Sequence, residues 1–241
     1  MRLAIVSDIH GNIDALEAVL ADIEKVGVDG MVCLGDFVGY GAAPNECIAR
    51  LRPMIEHAVA GNHDWAACGR IKLGYFNPDA AAAARWTTAH LTEEHLTYLR
   101  ELPMSAKWHG IYLVHATPFE PEEWHYVFSP ADAAYEMTGC DEQVCLIGHS
   151  HYPGTFELAG TTVQYTRQEV VRGDKKSRYL INVGSVGQPR DGDPRAAWLL
   201  VDDSRFAFEH RRVTYDIPAA MQRIREAGLP PYLADRLQWG E

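Results

Sequence analysis

The chain has 241 residues and a formal net charge of −11, with 47% hydrophobic and 23% charged residues. This is a globular balance: it excludes disordered, collagen-like and mucin-like classes, and the acidic charge disfavours nucleic acid polymers and anionic membranes as partners. No apolar run approaches the roughly 18 residues of a membrane helix, and the apolar stretch after Met1 is shorter than the about 7–15 residues of a signal peptide, so a cytoplasmic protein is expected.

Residues 3–7 (LAIVS) read as a buried strand. Asn12 is placed to cap a helix with Ile13, Leu16, Leu20 and Ile23 at helical spacing and Gly27 as its stop. A second strand over 29–34, a short helix from Pro44 to Leu51 and a third strand over 55–60 follow. This β-α-β-α-β order favours a parallel sheet with helices on its faces. Residues of about 64–102 form a helical excursion: Asn77-Pro78 opens a helix running to about His90, and Thr92 caps another that Pro103 closes. Strands are expected at 104–108, 111–115 and 143–147, with a helix near 130–138. The C-terminal half is strand-rich, at 154–158, 162–171, 178–183, 196–202 and 205–215. The basic stretch Arg172 to Arg178 reads as a solvated hairpin tip, and Pro218 opens a final helix ending near Gly228. Five scattered cysteines with no C-x-x-C pair argue against a disulfide framework and a zinc knuckle. Without repeats or linker-like stretches, 1–241 reads as one α/β domain.

Five of these strands run into a group that can bind a metal or move a proton. The first leads to Asp8 and His10, the second to Asp36, the third to Asn62 and His63, the 111–115 strand to His115, and the 143–147 strand to His149 and His151. Ligands in α/β sheets gather at the carboxyl ends of strands. Singly, Asp8 is an ordinary turn former and each histidine an ordinary loop residue, since D-x-H and H-x-H each arise by chance roughly once per one or two such chains. G-N-H-D arises by chance in about one such chain in a thousand. The six histidines His57, His90, His95, His109, His125 and His210 have no such context and read as structural.

Asp8-x-His10, Gly35-Asp36, Gly61-Asn62-His63-Asp64, His115 and Gly148-His149-Ser150-His151 resemble the motifs of the calcineurin-like metallophosphoesterases. Residues 35–48 (GDFVGYGAAPNECI), 182–198 (NVGSVGQPRDGDPRAAW) and 228–237 (GLPPYLADRL) are similar to its small prokaryotic phosphodiesterase-like branch, some members of which cleave diadenosine polyphosphates asymmetrically. The resemblance implies an α/β fold in which two mixed β-sheets pack as a sandwich flanked by helices. It implies that Asp36 bridges two metals, that Asp8, His10 and His151 complete the first site, and that Asn62, His115 and His149 complete the second. Such a mixed nitrogen and oxygen set suits two divalent ions drawn from Mn, Fe, Zn, Ni or Co, with Mn favoured, rather than Mg or Ca.

His63 is implied to contact the scissile phosphate and protonate the leaving oxygen, with Asp64 the candidate to orient it. The phosphoprotein phosphatases of this superfamily read G-D-x-x-D-R-G, whereas residues 35–41 read GDFVGYG and lack both the second Asp and the Arg. Substrate contacts are open: Asn12 is a candidate for a phosphate oxygen as well as a helix cap, and Arg190 for a distal phosphate as well as a surface ion pair. Trp124, Tyr126 and Phe128 either stack a base or simply pack.

The expected function is hydrolysis of phosphodiester or nucleotide and dinucleoside polyphosphate substrates, small phosphorylated molecules, by a hydroxide bridging two ions, with His63 as acid. The alternatives are a phosphomonoesterase on a small ester, an acid–base hydrolase without metal, and a non-catalytic scaffold of the same fold. The presence of every expected residue argues against the last.

Overall fold

The computed structural model describes residues 1–241, the side chain of Tyr75 excepted. The first half alternates strands and helices: β1 (Arg2–Val6), α1 (Ile13–Val26), β2 (Gly30–Cys33), α2 (Pro44–Leu51) and β3 (His57–Ala58). Asn12 caps α1 by accepting from the Ala15 N–H at 3.1 Å, and Gly27 ends it at φ 69°. The helical excursion comprises α3 (Asn62–Ala67), α4 (Pro78–His90) and α5 (Glu93–Glu101). Next come β4 (Ser105–Trp108), β5 (Ile111–Val114), α6 (Pro130–Glu136) and β6 (Val144–Ile147). Six strands then follow: β7 (Gly154–Ala159), β8 (Thr162–Thr166), β9 (Val170–Arg172), β10 (Arg178–Asn182), β11 (Ala196–Asp202) and β12 (Ala207–Val213). The described chain ends on α7 (Ile217–Glu226) and α8 (Pro231–Asp235).

The strands form two six-stranded sheets, ordered β3-β2-β1-β11-β12-β9 and β4-β5-β6-β10-β7-β8. Each is mixed. In the first, β1, β2 and β3 are parallel and the rest antiparallel; in the second, β5, β6 and β10 are parallel. Period-two alternation assigns the faces. Leu3, Ile5 and Val32 meet Leu113, Leu146 and Ile181 between the sheets, and burying each such side chain contributes about 1.5–3 kcal/mol. The opposite faces turn outward to helices: Ala4, Val6 and Met31 to Leu16, Val19 and Ile23 of α1, and Cys145, Ile147 and Leu180 to Ala133 of α6 and Met137. The expected sandwich of two mixed sheets flanked by helices is what the chain adopts.

A separate cluster joins the alanine run of α4 to α7 and α8, with Tyr40 in its midst. No helix among the described residues is long and apolar enough to cross a membrane.

Four expectations are corrected. Residues 162–171 are not one strand: β8 pairs with β7 in the second sheet, whereas β9 pairs with β12 in the first. Residues 167–169 cross between the layers, a change of sheet that periodicity does not register. Residues 172–178 are therefore a link between sheets, not a hairpin tip. The helix opened by Pro218 is not the last, because Pro231 starts α8 after the Gly228-Leu229-Pro230 break. The third strand is also shorter than 55–60, because β3 is an edge strand that meets β2 only at Val32 and Cys33.

Candidate metal centre

The carboxyl ends of β1, β2, β3, β5 and β6 converge, and the loops that leave them are stitched to one another. Asp8 N–H donates to Gly35 O at 3.0 Å, His10 N–H to Asp36 O at 2.9 Å, and Gly148 N–H to His115 O at 2.8 Å. The chain turns so sharply there that Asp8, His10, Asp36, His149 and His151 all adopt left-handed φ between 49° and 64°. That conformation costs an L-residue roughly 1–2 kcal/mol, and surrounding contacts hold it at functional sites. Gly61 is required by closeness: a Cβ there would lie 2.0 Å from Asp36 Oδ1.

The first predicted ligand group is assembled. Asp8, His10 and His151 place their ligating atoms within 4.8 Å of one another. His151 Nε2 is 3.1 Å from Asp8 Oδ1, and His10 Nε2 is 3.7 Å from it. Asp36 Oδ2 lies 3.7 Å from His10 Nε2 and 3.3 Å from His115 Nε2, between the first group and the second. His115 also joins Asp8 and Asp36 in a group within 4.8 Å. The ring centroids of His115 and His149 are 5.1 Å apart.

Backbone carbonyls set the tautomers. His10, His115 and His151 donate Nδ1–H to Val38 O at 3.0 Å, Leu34 O at 2.7 Å and Gln188 O at 2.5 Å. Each therefore turns its Nε2 to the centre, the arrangement that fixes metal-ligating imidazoles. His149 is inverted: its Nε2–H donates to Trp124 O at 3.0 Å, leaving Nδ1 for a ligand.

These donors fit divalent cations. Buried Asp8 Oδ1, Asn62 Oδ1 and His115 Nε2 have no hydrogen-bond partner. The His10 and His151 Nε2 atoms, both acceptors in these tautomers, stand 3.0 Å apart. Two nitrogens at about 2.1 Å from one ion and at right angles would be separated by about that distance. The carboxylates are charged: burial alone would raise Asp8, but His151 and His115 hold it well below the usual range, and His115 does the same for Asp36. Burial pushes His115 down, yet Asp36 and Asp8 lift it to about 9, whereas burial dominates at His149 and His151 and takes both to about 3.

A sequence model of the calcineurin-like phosphoesterase superfamily domain matches residues 1–204. The chain belongs to that superfamily. It is 40% identical to an uncharacterised protein of Methanocaldococcus jannaschii, over 99% of this chain and 98% of that one. It is likewise 40% identical to a metallophosphoesterase from Sphaerobacter thermophilus of known structure, covering 100% of this chain and 99% of the other with a TM-score of 0.88. A hypothetical protein of Pyrococcus horikoshii, 21% identical, shares the fold at a TM-score of 0.81 over 100% of this chain and 98% of its own. The chain is thus a metallophosphoesterase, a hydrolase.

In this metallophosphoesterase His63 stands at the start of α3, its backbone N–H donating to Asp36 Oδ1 at 2.8 Å. Its ring is boxed by Tyr40, His10 and Phe76, with centroids 4.4, 5.0 and 5.0 Å away, and burial drives it well below its ordinary pKa. Asp64 does not orient it. Its carboxylate accepts from the backbone N–H groups of Asp36 at 2.8 Å and Gly61 at 3.0 Å, bracing two ligand loops. Burial and the Asp36 charge push Asp64 up, to about 8, against those donors. The missing second Asp of G-D-x-x-D-R-G has a steric cause. A Cβ on Gly39 would lie 2.5 Å from His63 Nδ1, so no side chain fits beside that ring.

Asn12 is committed to structure: besides capping α1, its Nδ2 donates to Gly187 O at 2.9 Å, and it does not line the cavity over the centre. Arg190 does line that cavity, of about 640 Å³, together with His63, Trp65, Trp124 and Tyr126. Tyr126 stacks on His149 at 4.3 Å, and Phe128 stacks on Tyr126 at 5.5 Å. Trp124 meets Trp65 edge to face at 5.5 Å. Gln188 went unnoticed in the sequence. Its carbonyl fixes His151 and its side chain holds Arg190, and neither role has a motif.

Proposed function

We propose that this metallophosphoesterase is binuclear and hydrolyses phosphodiesters or nucleotide and dinucleoside polyphosphates. The carrying observation is the position of Asp36, whose Oδ2 stands between His10 and His115 at 3.7 and 3.3 Å. Asp8, His10 and His151 would hold one ion with Asp36, and Asn62, His115 and His149 the other. Two divalent ions, Mn favoured, would supply a water ionised near neutral pH and neutralise charge on the phosphoryl oxygens. His63, seated between Asp36 and the cavity, is neutral in the free centre because burial lowers it; it would take up a proton beside a bound phosphate and pass it to the departing oxygen. Trp124 and Tyr126 line the cavity over the centre, and stacking a base on such a ring would contribute about 1–3 kcal/mol. Tyr126 and Phe128 are 49% and 61% exposed, which is open surface rather than core. Five free thiols accord with a cytoplasmic setting.

The test is a comparison of bis-p-nitrophenyl phosphate, p-nitrophenyl phosphate and diadenosine tetraphosphate with one Mn-loaded preparation. The reading expects a higher kcat/KM on the diester or the dinucleotide. A monoester preferred by tenfold or more overturns the substrate class and leaves the metal centre standing.

A further inference from the structure

Arg190 makes no ion pair with a carboxylate among the described residues, unlike Arg195 and Arg212. Its Nη2 donates to Tyr40 Oη at 3.1 Å and to Gln188 Oε1 at 2.9 Å, and its Nε to the same Gln188 oxygen at 3.3 Å. Both acceptors are neutral, as is Tyr126, whose hydroxyl the same guanidinium also approaches. The adjacent Asp191 does not neutralise it, because that carboxylate is taken by Arg167 and Arg212. A half-buried guanidinium that lines a cavity without a carboxylate partner, its plane held by neutral groups, is suited to receive an oxyanion.

Its place relative to the centre follows from Tyr40. The Tyr40 ring packs on His10 at 4.6 Å and on His63 at 4.4 Å, while its hydroxyl carries Arg190, whose guanidinium carbon is 5.5 Å from the ring centroid. One tyrosine therefore separates the reacting centre from the cation. Tyr40 keeps this position at a left-handed φ of 59°, between two glycines and against α4, α7 and α8.

We propose that Arg190, positioned by Tyr40, binds the phosphate next to the one that reacts, so that the site selects substrates with a phosphoanhydride linkage over single-phosphate diesters. The proposal rests on the phosphoesterase reading for its kinetic arm and on Arg190 alone for its binding arm. Tyr40 acts through Arg190 and is a positioning residue.

The kinetic arm compares diadenosine tetraphosphate with bis-p-nitrophenyl phosphate on Mn-loaded wild type, Arg190→Gln, Tyr40→Phe and the double variant. Arg190→Gln is expected to lower the ratio of kcat/KM values, dinucleotide over diester, by about 10–100-fold, with the loss falling on KM. Tyr40→Phe keeps the ring and should lower the same ratio by several-fold. In the Arg190→Gln background it should add nothing further, whereas a merely structural role would add its full effect. The binding arm measures inorganic pyrophosphate and orthophosphate by calorimetry on the same Mn-loaded proteins. Arg190→Gln should weaken pyrophosphate by a similar factor and orthophosphate far less. Equal losses on both substrates, a loss confined to kcat, or equal weakening of the two anions would each overturn the proposal. If wild type hydrolyses neither ester, the phosphoesterase reading fails and the calorimetry still decides the role of Arg190.

Discussion

Asp8, His10 and His151 are each no more than 1% exposed, and their histidines are anchored to carbonyls of loops that lie under the site. Asn62 is only half buried, and His149 hangs from the carbonyl of Trp124. That residue lies in the 117–129 segment, which carries exposed Tyr126 and Phe128 and bends at Trp124 through a left-handed φ of 55°. The first ligand group is thus held by the sandwich itself and the second partly by a surface segment. Ligands of the same chemical type can therefore be ordered to different degrees, and the first position is expected to bind its ion more tightly.

Removing the shared carboxylate should erase the contrast. Asp36→Asn is expected to weaken both positions and to lower activity beyond the about 10²–10⁴-fold that loss of a general acid costs; elemental analysis under saturating Mn checks it. Retention of two ions would show that Asp36 is not shared. His63→Gln should leave the contrast intact, with two ions bound, while activity on alkyl or nucleoside esters falls about 10²–10⁴-fold. The loss should be smaller on p-nitrophenyl esters, whose leaving group scarcely needs a proton; loss of metal would reassign His63 as a ligand.

Stepwise chelation sharpens the difference. One ion should leave at about 10-fold or more lower chelator concentration than the other, the scale on which supporting contacts act. His149→Ala should remove the loosely held one and keep the other. Two ions leaving together from wild type would break the comparison. The smallest effect belongs to a contact remote from both groups. Burial would raise Asp22, but hydrogen bonds from Arg211 at 3.0 Å and Trp198 at 3.0 Å outweigh it and hold the carboxyl below its usual range. Its folded pKa lies below the unfolded one, so this stabilisation is present above the ordinary carboxylate range and is lost as pH falls through the folded value. Asp22→Asn should cost about 1 kcal/mol near neutral pH and less in acid, by denaturant titration, with the metal ratio unchanged.

Features written in local chemistry were legible in the sequence. Asn12 and Gly27 bound α1 as expected, and Asp8, His10, Asp36, His115 and His151 fall into overlapping groups whose atoms lie within 4.8 Å. What escaped depends on contacts between segments distant in the chain. That Asp64 braces loops rather than His63 follows from the backbone N–H groups of Asp36 and Gly61 that its carboxylate accepts, one of them from a loop distant in the chain. That residues 162–171 divide between two sheets follows from the partners β7 and β12, which no periodicity encodes. Gln188 carries no signal of its own, because half of its work is done by a backbone carbonyl.

The left-handed backbone at Asp8, His10, Asp36, Tyr40, His149 and His151 bears on how this protein would age without use. Glycine adopts that conformation freely, so at these six positions a change to glycine relieves strain of roughly 1–2 kcal/mol each, less the added freedom of the unfolded chain. A lineage or a laboratory library screened for solubility and folding alone would be drawn toward such changes at the five metal-donor positions, whereas at Tyr40 the packing lost against α4, α7 and α8 outweighs the relief. Durability and chemistry are set against each other at the same residues, so hardening this scaffold calls for changes elsewhere, in the sandwich or in the helices behind Tyr40.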